Sequence, residues 1–207
     1  MLGKSIQYSA VQELANIQVR LANNNRTLSE AALCGAKEFI EWRHYPNHDM
    51  SDVETGYEFY YHAHSADEMS DGEHGHFHLF KRNGNGFFHL IGIALNQKGL
   101  PVRIFTTNQW VTGELMVDSK VVASALKIFS VSAKGRMAPV GKWLRAFTQL
   151  FYVDMEALII ERDLKISALS KQMGDLDKVL HSKKHHVLTE CRIDLFKSLS
   201  QHLSVVN

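Results

Sequence analysis

Six of the chain's 12 histidines fall between His62 and His89. The stretch Tyr57 to His64 alternates in character, and so does His74 to Phe80. In a strand, residues i, i+2 and i+4 point to one face. His62 and His64 therefore share a face with Tyr60 and Glu58, and His74, His76 and His78 share a face in turn. The intervening residues, Tyr57, Phe59, Tyr61 and Ala63, then Gly75, Phe77 and Leu79, suit a core. The histidines are thus expected on the opposite side of a sheet. If the two strands pair, up to five imidazoles line one surface. His89 alternates with Phe87, Ile91 and Ile93, which predicts a partly apolar surround for the cluster.

Such a cluster has a specific chemical use. Imidazoles at i and i+2 have Cα atoms about 7 Å apart, close enough for both rings to converge on one ion. A third histidine or a carboxylate from a neighbouring strand completes a facial set and leaves a position for water or substrate. Nitrogen and oxygen donors suit a divalent transition metal (Zn, Fe, Mn, Ni or Cu), and the spacing does not choose among them. The expected ligands are His62 and His64 with His76 and one of His74, His78 or Glu73. Asp49 and Glu68 are the other carboxylates nearby in sequence. His44, Asp49, His89, Asn108 and Glu114 are candidates for orienting the ligands from behind. The competing reading is a hydrogen-bonded polar network with no ion. Convergence of five or six imidazoles counts against it, because each buried ring needs a partner and a dry cluster resists protonation.

The elements that must position these residues follow from pattern. Ile6, Val11, Leu14, Ile17 and Leu21 recur at helical spacing, and Asn23-Asn24-Asn25 breaks the run. Thr27-Leu28-Ser29-Glu30 reads as a capping box opening a helix from about Leu28 to Trp42. His44 and Tyr45 precede a turn at Pro46. Four strands then follow, through 57–64, 74–80, 87–95 and 102–107, joined by a polar loop and by Asn-Gly and Lys-Gly turns. From Asp118 the chain reads as helical, with Gly174-Asp175 as a stop and restart. Leu188, Cys191, Leu195, Leu199 and Leu203 predict a last amphipathic helix, and Lys183-Lys184-His185-His186 a solvated polar face. The expected fold is α+β, an antiparallel sheet of about four strands flanked by N-terminal and C-terminal helices. It forms a single domain over 1–207, with a helical segment 1–43, a histidine-rich sheet 44–117 and a helical segment 118–207.

Composition narrows the function class. The chain has 207 residues, 45% hydrophobic and 22% charged, with a formal net charge of +1. That balance argues against a strongly basic nucleic-acid binder. Two distant cysteines, Cys34 and Cys191, exclude a disulfide framework and a cysteine-rich zinc module. No run approaches the 18 or so apolar residues of a membrane span, and the start has no signal-peptide core. The expectation is a cytoplasmic protein with reduced thiols, a small-molecule ligand in the pocket, no nucleic-acid partner, and C-terminal helices offering a surface for homo-oligomerisation.

Two motif resemblances bear on the chemistry. His74-Gly75-His76-Phe77-His78-Leu79-Phe80 is similar to the signature of the histidine-triad nucleotide hydrolases and transferases. That resemblance implies a metal-free enzyme with His76 as nucleophile at an α-phosphate. Any alternating histidine strand satisfies the pattern, however, and the family's flanking parts are missing. The spacing Gly56-x5-His62-x-His64-x3-Glu68-x6-Gly75 resembles the first cupin motif. The second cupin motif is absent, and Glu68 falls in a polar loop.

A longer resemblance covers about Phe39 to Lys165. It rests on His44-Tyr45-Pro46 with Asp49, Tyr60-Tyr61-His62-Ala63-His64, Glu73-His74-Gly75-His76-Phe77-His78, His89-Leu90-Ile91, Phe105-Thr106-Thr107-Asn108 and Trp110-Val111-Thr112-Gly113-Glu114. The middle of the chain resembles a bacterial family of uncharacterised proteins, a domain of unknown function. The resemblance implies no established activity. In the family pattern an Arg precedes the Trp of the Asn-x-Trp element, and a second Trp lies two residues beyond the Glu. Here those positions hold Gln109 and Met116, so an anion contact, if the Arg makes one in relatives, is lost from this chain. The function is therefore read as a metalloprotein of unspecified reaction. The alternatives are the triad-type enzyme and a non-catalytic metal-sensing, storage or structural protein.

Overall fold

Aromatic and β-branched residues in alternation, punctuated by glycine turns, drive the middle of the chain into strands. The computed structural model describes residues 4–65 and 70–204 and pairs them into one antiparallel sheet in sequence order. Its strands are β1 (Tyr45–Asp52), β2 (Tyr57–His62), β3 (Gly75–Asn83), β4 (Gly86–Leu95), β5 (Pro101–Thr107) and β6 (Val187–Arg192). The turn at Gly84 requires a positive φ of 59°, which glycine supplies without a Cβ clash. Glu68 lies outside the described residues.

The sheet has six strands where four were expected. The additions are its two edges. Pro46 was read as a turn, but it sits near the start of β1, an edge strand, where its missing N–H leaves no ladder bond unmade. β6 was read as part of a helix, because Leu188, Cys191, Leu195 and Leu199 happen to fall at three- and four-residue steps. Instead Val187 to Arg192 returns to pair with β5, with Phe105 opposite Glu190 and Thr106 opposite Thr189. The amphipathic helix is shorter, Leu195–Ser204.

The helices largely follow the pattern. α1 spans Lys4–Asn23. α2 (Leu28–Ala32) carries the capping box, Thr27 accepting from the Glu30 amide and Glu30 from the Thr27 amide. It stops ten residues short of Trp42, because Cys34 and Gly35 turn the chain left-handed at φ 54° and 88°. α3 (Gln109–Thr112) and α4 (Ser119–Lys127) follow the sheet. Next come α5 (Ala138–Leu150) and α6 (Tyr152–Met173), which ends at left-handed Gly174. Asp175 then caps α7 (Leu176–Leu180), and α8 is the Leu195–Ser204 helix. Among the described residues no helix is long and apolar enough to cross a membrane.

One face of the sheet holds the core. Phe59, Tyr61, Phe77, Leu79, Ile91 and Ile93 pack with Val11 and Leu14 of α1 and Trp143 and Phe147 of α5. The Phe77 and Trp143 rings lie 6.5 Å apart. Each such side chain contributes about 1.5–3 kcal/mol by leaving water, so this face anchors the strands that carry the histidines on their other side.

Candidate metal centre

Register brings the histidines together. β2 and β3 pair with His62 opposite His76 and Tyr60 opposite His78. All three histidines therefore stand on the face away from the core, and each is buried. Each offers a ring nitrogen, and these three donor atoms lie within 4.8 Å of one another. His62–His76 and His76–His78 ring centroids are 4.6 and 4.9 Å apart, nearly perpendicular.

The rings are held from behind. His76 Nδ1 is 2.6 Å from Glu73 Oε1. The second Glu73 oxygen accepts from Arg103 Nη2 at 2.7 Å, and Arg103 Nη1 donates to Glu190. His78 Nδ1 is 2.9 Å from His89 Nε2, and His89 Nδ1 is 3.1 Å from the Thr107 hydroxyl. The His89 backbone N–H donates to Glu114. These partners leave Nε2 of His76 and of His78 as the nitrogens available to an ion. His62 Nε2 is buried with no hydrogen-bond partner, which is costly for a polar atom away from water.

A β-bulge places His89 here. Leu79 faces Ile91 while the next residue, Phe80, faces His89, so Leu90 is the extra residue of β4. Simple alternation would group His89 with Ile91 and Ile93. The bulge instead sends those two to the core and His89 to the cluster.

Electrostatics favour neutral rings. Burial, with His76, His64 and His44 nearby, pushes the His62 pKa down to about 2. Burial also takes His89 down to about 3, His64 to about 4 and His78 well below the usual imidazole range. Burial alone would raise the Glu73 carboxyl, but His76 and Arg103 outweigh it and hold it below its ordinary value. Glu114 is pushed up to about 7 by burial, against the pull of the His89 amide and Arg162.

The remaining candidates divide. His64 lies at the edge of the cluster, its ring 4.9 Å from His62 and 5.1 Å from His76, and stacks on Trp42 at 4.3 Å. His44 stacks on Tyr60 at 3.7 Å, edge-on to His62, with Asp49 at 2.9 Å from its Nδ1. His74 does not join. It precedes the first residue of β3, and its ring turns to the core side, stacking on Phe39 at 4.7 Å and bonding the Tyr61 hydroxyl at 2.8 Å. Asn108 caps α3 and donates to the Val179 carbonyl, so it holds the frame and not the cluster. Glu73 spends both oxygens on His76 and Arg103, so it stands behind the His76 ring and not among the converging nitrogens. Arg103 and Glu190 were not singled out as a pair. Glu190 belongs to β6, the strand that fits a helical period, and Arg103 alternates with Ile104 in β5 with no pattern to mark its face.

A cavity of about 1150 Å³ opens over the three histidines. Trp42 and His44 line it from the β1 side and Thr189 and Glu190 from β6, so the sheet curls around it. Lys183 and His186, read as a solvated face, line its wall. Phe105 forms part of the floor, its ring lying over Gly92, where a Cβ would meet it at 2.3 Å.

Fold and site together define an α+β protein with a buried three-histidine cluster at the base of a cavity. The chain belongs to the family described as Domain of unknown function (DUF6969), whose family model matches residues 8–193. That span is wider than the Phe39–Lys165 stretch legible from motifs. No curated protein and no solved structure matches the chain.

Proposed function

We propose that the chain is a metalloprotein, in which His62, His76 and His78 hold one divalent transition metal through Nε2 and leave its remaining coordination position toward the cavity. The observation that carries this reading is the convergence of three buried imidazole donors, two with Nδ1 already engaged and the third with an orphaned Nε2. Glu73–His76 is the carboxylate–histidine arrangement that fixes tautomer and raises ligand basicity. A tetrahedral site with bonds of ~2.1 Å separates its nitrogens by roughly 3.4 Å, so each ring moves inward by about an ångström or less. The metal would supply Lewis acidity to whatever ligand takes the open position. The chain's own residues orient the rings, hold His62 and His78 neutral and shape the space above them. The triad-type alternative loses its first histidine, because His74 faces the core side.

The test is elemental analysis of untagged protein, purified without chelator and again after reloading with Zn, Fe, Mn, Ni and Cu salts. About one ion per chain is expected, lost in His62→Ala with the fold retained by circular dichroism. A protein that takes up no transition metal under any of these conditions overturns the reading.

A further inference from the structure

The charge of the cavity says what kind of molecule it takes. Resting on the metal reading above, we infer that the cavity binds an organic acid, its carboxylate on the metal's open position and an apolar, flat body against the tryptophans of the mouth.

Three neutral imidazoles leave both charges of a divalent ion uncompensated, and in a buried site that imbalance is costly. Among the described residues the cavity walls do not correct it. Among the described residues Arg103, Lys165 and Lys183 face Glu73, Glu161 and Glu190, three charges of each sign. Glu73, the carboxylate nearest the cluster, is already matched by Arg103 and spends its second oxygen on His76. An anionic ligand at the open position is therefore favoured over a neutral one.

Size and lining decide between an inorganic anion and an organic one. A water occupies ~30 Å³, whereas the cavity holds about 1150 Å³. Its mouth carries large aromatic surface. Trp42 is 56% exposed, with one ring face against His64. Trp110 donates its indole N–H to the His185 carbonyl, which fixes the ring and leaves its apolar surface to the cavity. Indole surface beside an anion position matches a carboxylate with an aromatic or other planar apolar group.

Cobalt(II)-loaded, untagged full-length protein provides the test, because visible absorption reports the fourth ligand directly. Phenylacetate, acetate and the neutral 2-phenylethanol are titrated against it. Phenylacetate is expected to change the cobalt spectrum with a Kd at least tenfold below that of acetate, and 2-phenylethanol to leave the spectrum unchanged. Trp42→Leu is expected to retain one cobalt per chain and to shrink the phenylacetate-to-acetate ratio below threefold. A cobalt spectrum indifferent to phenylacetate, equal affinity for the three probes, or a ratio unmoved by Trp42→Leu overturns this inference and leaves the metal site standing. Failure of the protein to bind cobalt at all overturns the metal reading first.

Discussion

Replacing Glu73 by Gln separates the role of its charge from that of its shape. The carboxylate accepts twice, from His76 Nδ1–H at 2.6 Å and from Arg103 Nη2 at 2.7 Å. An amide has one oxygen and one NH2. Arg103 can only donate, so the amide oxygen turns to it and the NH2 faces His76 Nδ1. His76 must then accept at Nδ1, which puts its proton on Nε2, the nitrogen the proposed metal needs. Loss of such a partner costs 10–100-fold in metal affinity, which is about 1.4–2.7 kcal/mol. The apoprotein loses less, because Glu190 still holds Arg103 and the amide still bonds both neighbours. Competition titration of zinc against a chromophoric chelator measures the first quantity, and urea unfolding of metal-free protein the second. Wild-type zinc affinity in Glu73→Gln, within twofold, would refute the tautomer argument. An apoprotein that fails to fold would instead refute the claim that Glu190 and the amide hold Arg103 in place.

Three further outcomes are expected. His62→Ala should abolish zinc binding yet leave apoprotein stability within about 1 kcal/mol, because it removes a buried nitrogen with no partner; a large loss on urea unfolding would count against this. Metal-free protein should weaken in acid: the folded-state pKa values of His78 and His89 are depressed by burial, so both rings are neutral in both states above pH 6.5. Below it the unfolded chain gains protons that the folded chain refuses until about pH 3 for His89, and each ring removes on the order of 1 kcal/mol by pH 5.5; a urea midpoint flat from pH 8 to 5.5 would contradict that. Gly92→Ala should drive the Phe105 ring, 2.3 Å from the new Cβ, away from His76 and His78. A loss of about 1–3 kcal/mol is expected from this overpacking, and an unchanged melting temperature would show that the ring yields freely.

The four central strands and the face carrying His62, His76 and His78 were legible, because strict period-two alternation admits one placement once the aromatic set is buried. His89 was legible as a neighbour but not its mechanism, since a bulge is a matter of pairing and leaves no mark on one strand alone. His74 shows the opposite failure. It continues the pattern on paper, yet the strand begins one residue later, and Tyr61 and Phe39 draw its ring to the other side. β6 was hidden because four leucine and cysteine positions fit a helical period, while its partner lies some eighty residues earlier in the chain. Glu190 went with it, and with Glu190 half of the clamp on Arg103.

The two faces of β2 and β3 differ so sharply that a one-residue slip between core and cavity sides would exchange them. Phe77 and Leu79 would then fill the cavity, and His76 and His78 would lie beneath Trp143. No intermediate arrangement keeps the three nitrogens together. On the proposed metal reading, zinc stoichiometry after refolding would count the chains whose strands have found their proper partners, a proofreading mark written across the sheet.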